Sequence, residues 1–316
     1  MLLVFGPVPS RRLGRSLGIN NIPPKSCSYS CTYCQVGPTS QTEIRPRTFY
    51  EPARILEEVR RRLALLRGRG EGVDYLTFVP DGEPTLDARI GETIEALRPL
   101  DIPIAVISNG SLLFRRDVRA CLDRADWVSV KIDAVDEAVW RRTNRPDPRL
   151  NHRKVLEGLL AFAARFGGSL VTETMLVRGV NDAETDAEHT GHFVARLAPE
   201  NAYLSVPIRP PATPGVEPPD EHALNRYFQT FQGCFPSLEL LSGYEGDRFA
   251  STGNLSEDLL TIAAVHPLRE SAVQALVDRC GGDWQVVERL VADGDLVRTE
   301  YGGQSFYIRR LNTRSP

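Results

Sequence analysis

Lysine is nearly absent from this 316-residue chain. Lys25, Lys131 and Lys154 are all there are, and arginine carries the rest of the positive charge. The bias points to genome composition, yet it makes any lysine placed in a site conspicuous. No apolar run approaches the roughly 18 residues that a membrane helix needs, which argues against a membrane protein. The opening "MLLVFGPVPSRR" lacks a basic segment ahead of its apolar residues, so it does not read as a signal peptide, and a cytoplasmic protein is expected. The formal net charge of -3 gives no whole-chain attraction to nucleic acid or to an anionic surface. Cysteine is also scarce: there are six, in a chain long enough to build a core without disulfides. Cys121, Cys234 and Cys280 are scattered among apolar or helical stretches and read as buried free thiols.

What the chain does have is alternation. Short apolar runs at 73–80, 102–109, 126–134, 169–177 and 202–208 read as strands. Between and after them, 52–66, 86–100, 114–125, 152–167, 184–198 and 220–231 have apolar residues at helical spacing. With 15–23 as a first strand, this makes six strand–helix units. Such alternation predicts an α/β fold with a parallel sheet, here a partial (β/α)6 TIM-like barrel, whose site lies at the carboxyl ends of the strands. Near residue 253 the pattern changes to three short helices followed by two strands around Gly302-Gly303, a winged-helix pattern. The expected domains are 1–253 and 254–316. The stretch "PPATPGVEPP" (210–219) has five prolines in ten residues and should run extended across the barrel mouth.

The remaining three cysteines are clustered in "CSYSCTYC", as Cys27, Cys31 and Cys34 directly after the first predicted strand. Three thiolates at this spacing suit three irons of a [4Fe–4S] cube and leave the fourth iron open. A structural zinc site would be closed by a fourth ligand. The nearest histidine along the chain is His152, so only a distant segment would supply one.

These residues resemble the C-x3-C-x-aromatic-C signature of the radical S-adenosylmethionine (SAM) superfamily, with Tyr33 as the aromatic. The resemblance implies a [4Fe–4S] cluster on Cys27, Cys31 and Cys34 whose open iron binds SAM. It implies reductive cleavage of SAM to a 5′-deoxyadenosyl radical, which abstracts hydrogen from a substrate. Three later stretches carry it further. In "DGEPT", Gly82-Glu83 is similar to the family's GGE motif, with Asp81 in place of its first glycine, so Glu83 would accept from the SAM ammonium. In "SNG", similar to TNG, Ser108 and Asn109 would reach the ribose or the carboxylate. In "VRGVND", backbone near Val180 would meet the adenine. "FGPVPSRRLGRSLGINNIPPKSCSYSCTYC" and "RTNRP" resemble a group related to wyosine-type tRNA base synthases, which implies a tRNA base or nucleoside as substrate. Those synthases carry additional N-terminal cysteines, and this chain has none before Cys27. The implied electron donor is a flavodoxin or a ferredoxin.

Alternation along 127–133 puts Trp127, Ser129, Lys131 and Asp133 on one face and Val128, Val130 and Ile132 on the other. The polar set should face the barrel interior, which makes Lys131 and Asp133 candidate catalytic residues near the radical. Lys131 would pair with Asp133 or with a carboxylate of SAM or substrate. Glu173 and Arg209 would point the same way. Residues 141–149 have four arginines against Asp147, a net of +3, and the first 50 residues have six basic residues against Glu43, a net of +5. An anionic substrate, tRNA or an acidic electron donor would suit this charge. From 254 to 316, seven arginines meet nine acids, a net of -2, which speaks against duplex DNA and for docking of a protein or peptide. Two other readings stay open: a peptide-modifying radical SAM enzyme, and a non-catalytic iron–sulfur winged-helix regulator.

Overall fold

The computed structural model describes residues 3–241, 249 and 251–310. The last six residues of the expected second domain, Arg314 among them, lie outside the described residues. Strands β1 (Val4–Ser10) and β2 (Gly14–Ile19) pair antiparallel. From β2 onward each strand runs parallel to the one before: β3 (Tyr75–Phe78), β4 (Ile104–Ser108), β5 (Trp127–Lys131), β6 (Ser169–Met175), β7 (Asn201–Ser205) and β8 (Leu238–Leu241). Strand order follows chain order, and among the described residues no pairing joins β8 back to β1. This is an α/β fold on a parallel sheet, consistent with a partial barrel.

The crossovers carry helices α1 (Pro52–Arg67), α2 (Ile90–Leu97), α3 (Arg116–Leu122), α4 (Glu137–Asn144), α5 (His152–Ala163), α6 (Glu184–Leu197) and α7 (Glu221–Cys234). The connection from β5 to β6 holds both α4 and α5. Six strand–helix units are therefore present, with β1 and β8 lying outside them. In α1, Ile55, Val59, Leu63 and Leu66 recur at helical spacing and are buried. Asp136, Asn151 and Asp220 accept from the third backbone N–H of α4, α5 and α7, satisfying a donor that the helix cannot. Helix α2 starts four residues later than the periodicity suggests. Pro84–Leu86 forms a 3-10 turn, and the Asp87 side chain then accepts from Arg89 N.

The main core lies between the sheet and its helices and includes Leu17, Phe78, Val106, Val128, Val130 and Leu204. A smaller cluster of Leu13, Ala105, Trp127 and Val171 lies on the inner face. The two faces of β5 thus divide as alternation predicts. Cys121, Cys234 and Cys280 are free, as expected, but half-buried rather than buried. Cys121 and Cys234 sit in helix–helix seams against Gly91 and Gly191, where the missing side chain leaves them room, and Cys280 Sγ lies 3.0 Å from Ser251 Oγ.

Beyond the sheet come α8 (Leu255–Val265), β9 (Leu268–Arg269), α9 (Glu270–Cys280), α10 (Gln285–Ala292), β10 (Leu296–Tyr301) and β11 (Gln304–Arg309). Their strands pair in the order β10-β11-β9, with Gly302 and Gly303 turning the hairpin at φ +56° and +70°. They enclose a second apolar cluster of Leu259, Ile262, Val273, Leu276 and Val287, and Val8 of β1 packs against it. Helix α8 lies against β1. Arg62 of α1 donates to Gly6 O and pairs with Asp258 of α8 at 3.2 Å, both side chains being buried. Ser251 and Thr252 complete the shell of Asp258.

Candidate active site

The loop after β2 holds the three clustered cysteines, and backbone bonds fix it from three sides. Lys25 N donates to Asp81 O at 2.7 Å and Glu83 N to Ser26 O at 2.9 Å, joining the loop to the turn after β3. Thr32 N donates to Thr143 O and Asp147 N to Ser28 O, joining it to the end of α4 and the turn beyond. Thr213 N donates to Thr32 O at 3.0 Å, so the proline-rich stretch meets the loop, but it turns at Thr213–Val216, with Gly215 at φ +81°, rather than running extended throughout as its prolines suggest. Lys25 Nζ donates to the carbonyls of Val36 and Gly37, just past Cys34. Gly82 has a steric reason to be glycine: a Cβ there would stand 2.0 Å from Ser26 O.

Cys27, Cys31 and Cys34 are free and half-buried. Two have donors aimed at sulfur. Cys27 Sγ receives Tyr29 N at 3.5 Å and Asn109 Nδ2 at 3.7 Å, and Cys31 Sγ receives Asn144 Nδ2 at 3.4 Å. Burial, with Glu83 nearby, pushes the Cys27 thiol up to about 12, and burial, with Asp133 nearby, pushes Cys31 up as well. Iron bound at such thiols would displace the proton, and the donors would then steady the thiolates. Among the described residues, no three His, Cys, Asp or Glu converge on one ion. Three thiols spread over one loop fit a cluster that takes one thiolate per iron.

Glu83 lies under this loop. Its carboxylate accepts from Ser108 Oγ at 2.7 Å, Asn109 N at 2.7 Å, Thr85 Oγ1 at 2.5 Å and Thr85 N at 3.1 Å. Burial raises its pKa, opposed by the Thr85, Asn109 and Ser108 donors. Ser108, buried, also accepts from Gly110 N. Asn109 Nδ2 bonds Ser28 Oγ at 2.8 Å in addition to facing Cys27. The structure therefore joins Ser108 and Asn109 to Glu83, and Asn109 further to the cysteine loop. Val180 stands apart, in the turn after β6, where its N–H donates to Val177 O and its carbonyl accepts from Arg142.

Asp81, next to Gly82, is buried with Oδ1 unpartnered, and burial lifts its pKa to about 7 against the pull of Lys25 and Arg309. A raised carboxyl pKa means the folded chain binds the extra proton. Its ionisation erodes stability as pH climbs from about 4 through 7. Asp81→Asn is expected to raise the urea midpoint at pH 8 and to leave it nearly unchanged at pH 4. An equal shift at both would rule out ionisation as the cause.

On the inner face, Lys131 of β5 and Glu173 of β6 are register partners, and Lys131 Nζ bonds Glu173 Oε1 at 2.7 Å. Arg12, from the β1–β2 turn, bonds Glu173 Oε2 at 2.5 Å and lies over the rings of Trp127 and Tyr203. Lys131 thus pairs with Glu173 rather than with Asp133, because adjacent parallel strands set the two side by side. Burial alone would raise the Glu173 carboxyl, but Lys131 and Arg12 hold it well below the usual carboxylate range. Burial alone would lower Lys131, but Glu173 and Asp133 keep it charged. Asp133 is buried and accepts from Tyr33 Oη, from Asn144 Nδ2 at 2.5 Å and from Met175 N at 2.8 Å. Tyr33 and Asn144 thus tie Asp133 to the cysteine loop.

A cavity of about 310 Å³ opens beside Cys34, with Arg12, Tyr33, Lys131, Glu173, Arg209 and His266 among its walls. Four polar residues of the site carry no role in the sequence reading. Thr85 and Asn144 hold the Glu83 and Asp133 carboxylates, and Arg12 bridges to Glu173. Asn181 Nδ2 donates to Asp133 O and Met175 O while its Oδ1 accepts from Val177 N, pinning the turn that contains Val180. Asn144 and Asn181 do fall within "RTNRP" and "VRGVND", the stretches that carry the family resemblance.

Residues 21–189 match the family model described as the radical SAM superfamily. A UPF0026 protein of Methanocaldococcus jannaschii is 42% identical over 316 residues, covering 99% of this chain and 98% of that one. The crystal structure of a radical SAM methyltransferase from Sphaerobacter thermophilus superposes with a TM-score of 0.54 at 17% identity, over 72% of this chain and 66% of that one. The structure of TYW1 with a lysine–pyruvate adduct bound superposes with a TM-score of 0.52 at 16% identity, over 69% and 73%. These two likenesses speak for the fold. The family match runs through the cysteine loop, the Glu83 turn, Asn109 and the Lys131–Glu173 strands, which is more than half of the chain. The chain belongs to the radical SAM superfamily of enzymes.

Proposed function

We propose that Cys27, Cys31 and Cys34 hold a [4Fe–4S] cluster, that SAM binds at its open iron, and that a hydrogen is taken from a substrate on the inner face of the sheet. When bound, cluster and SAM supply the reductive cleavage that yields a 5′-deoxyadenosyl radical. The chain's own residues bind and orient. Glu83, carrying four donors of its own, is held rigid beside Cys27 and offers its charge to the SAM ammonium. Tyr33 and Asp133 fix the loop against the sheet, and the turn at Val180, braced by Asn181, offers backbone to the adenine.

The observation that carries this reading is the double attachment of Asn109, whose N–H holds Glu83 and whose amide faces Cys27. One residue thereby couples the candidate SAM contact to the candidate cluster ligand. Anaerobic reconstitution should give about four irons and four sulfides per chain. Dithionite and SAM should then release 5′-deoxyadenosine. Iron retained without SAM cleavage would defeat the enzymatic reading and favour a regulator.

A tRNA base or nucleoside is the substrate suggested by the motif resemblance, and a flavodoxin or ferredoxin the electron donor. The exposed arginines Arg45 and Arg145, on or against the cysteine loop, suit an acidic donor. We read 254–316 as a small winged-helix domain on the order of its three helices and its hairpin. Its acidic balance favours a capping or peptide-docking role over duplex DNA.

A further inference from the structure

Of the donors that face Cys27 and Cys31, Asn144 Nδ2 comes nearest. It lies 3.4 Å from Cys31 Sγ, against 3.5 and 3.7 Å for the two donors at Cys27. Asn144 is the last residue of α4 and is buried. Its two amide hydrogens have two acceptors, Cys31 Sγ and Asp133 Oδ2, the latter at 2.5 Å. Turning the amide over would set its oxygen against Asp133 Oδ2, which already accepts from Tyr33 Oη. Asp133 is itself a fixed anchor, since its Oδ1 accepts from Met175 N at 2.8 Å. The carboxylate therefore decides which end of the amide faces the sulfur.

The backbone fixes the rest of this geometry. Ser30 N donates to Asn144 O at 3.1 Å and Thr32 N to Thr143 O at 3.0 Å, so the end of α4 grips the residues on both sides of Cys31. Trp140 Nε1 of the same helix donates to Tyr29 Oη at 3.2 Å. None of these bonds uses the Asn144 side chain, so the grip survives a change of that side chain. An N–H aimed at sulfur favours negative charge there. Burial and Asp133 push the Cys31 thiol up, and the Asn144 donor pulls it back. A [4Fe–4S] cluster gains one negative charge with the electron it takes up, and hydrogen bonds to its sulfurs are among the factors that set its potential. A donor to a ligand sulfur stabilises the reduced form more than the oxidised one.

We propose that Asn144 raises the reduction potential of the cluster through Cys31, and that Asp133 aims it. Both are positioning residues, and neither is a ligand. The step concerned is the transfer of one electron from an outside reductant to the cluster, with no bond made or broken and no proton moved. This deepens the proposed radical SAM reading and rests on it. It also gives Asp133, on the inner face, a part in the electronics of the cysteine loop.

The test is a mediated electrochemical titration of the reconstituted full-length chain without SAM, read by the EPR signal of the reduced cluster. Asn144→Leu nearly keeps the side-chain size and removes both donors. Its midpoint should fall by about 59 mV, a tenfold change in the one-electron equilibrium constant. Asn144→Gln keeps an amide and should bring the midpoint back toward wild type. An Asn144→Leu midpoint equal to that of wild type overturns the inference. An equal fall in both variants does so too, because packing would then be the cause. A second readout does not depend on Asn144→Leu folding or taking up iron. With asparagine side chains labelled with nitrogen-15, pulsed EPR of the reduced wild type should show an amide coupling that is absent from Asn144→Gln, whose amide is unlabelled. No coupling in the wild type overturns the inference, and so does a spectrum unchanged in Asn144→Gln, which would assign the coupling to Asn109. Iron content separates the two levels. A loaded wild type whose potential Asn144→Leu does not move sinks this inference alone, whereas a wild type that takes up no iron sinks the functional reading beneath it.

Discussion

Cys31→Ala is expected to lose cluster binding and to cut 5′-deoxyadenosine release by more than about a thousandfold, or roughly 4 kcal/mol of transition-state stabilisation. Cys31 is central to the loop both chemically and mechanically. Its sulfur receives the Asn144 amide, and the same amide holds Asp133 on the inner face. In the proposed site, replacing the thiol would remove one of three protein ligands from a cluster that already has a position open to SAM. Iron per chain and 5′-deoxyadenosine are the two readouts. Cys121→Ala is the control, since that thiol lies in the seam between α2 and α3 and should keep both at wild-type levels. A Cys31→Ala protein with full iron and full SAM cleavage would refute the assignment.

Glu173→Ala is expected to cost about 3–5 kcal/mol in urea unfolding of the full chain. The carboxylate is 8% exposed and bridges Lys131 and Arg12, so its removal takes from two largely buried cations the carboxylate that both of them bond. Glu173→Gln should cost less, because the amide oxygen still accepts one bond. The pH dependence has a definite sign. The folded pKa is depressed, so the contribution of Glu173 is fully present above the unfolded value of about 4.3 and is lost as pH falls through the folded value. Wild type and Glu173→Ala should therefore converge in stability as the solution is acidified below pH 4. A constant difference down to acid pH would show that packing, not charge, sets the cost.

The parts of this protein legible in its sequence are those written as local pattern. Strands β3 to β7 are short apolar runs between helices, and their burial on both faces follows from that composition. The cysteine loop is legible because its spacing is chemical rather than conformational. Strand β1 escaped because "VFGPVPS" carries a glycine and two prolines, which count against a strand, and its pairing register is shifted between Phe5 and Val8. Strand β8 is only four residues long. Helix α4 was obscured by its arginines, which read only as part of a basic stretch. Arg141 in fact pairs with Glu137 one turn back, as a helix allows.

The polar joints were not legible. Nothing near Glu173 in sequence announces Arg12, 161 residues away, and nothing near Asn144 announces two simultaneous partners in Cys31 and Asp133. A single arginine or asparagine has too many possible partners for its neighbours to choose one; the fold chooses. The Lys131–Asp133 pairing drawn from strand alternation was a choice of this kind. Both residues do belong to the inner face, but the register with β6 gives Lys131 to Glu173.

One consequence concerns the rim of the sheet. β1 is its first strand, so among the described residues one side of its backbone has no strand neighbour, yet Leu3 to Pro7 are buried. α8 lies against that strand, Val8 is packed into the second apolar cluster, and Arg62 clamps Gly6 O from below. A chain cut near residue 253 would leave this edge as a template for other chains, as well as strip His266 from the cavity. The C-terminal segment is thus also a guard against self-association: its removal should yield a barrel that precipitates or forms intermolecular sheet instead of a smaller soluble enzyme.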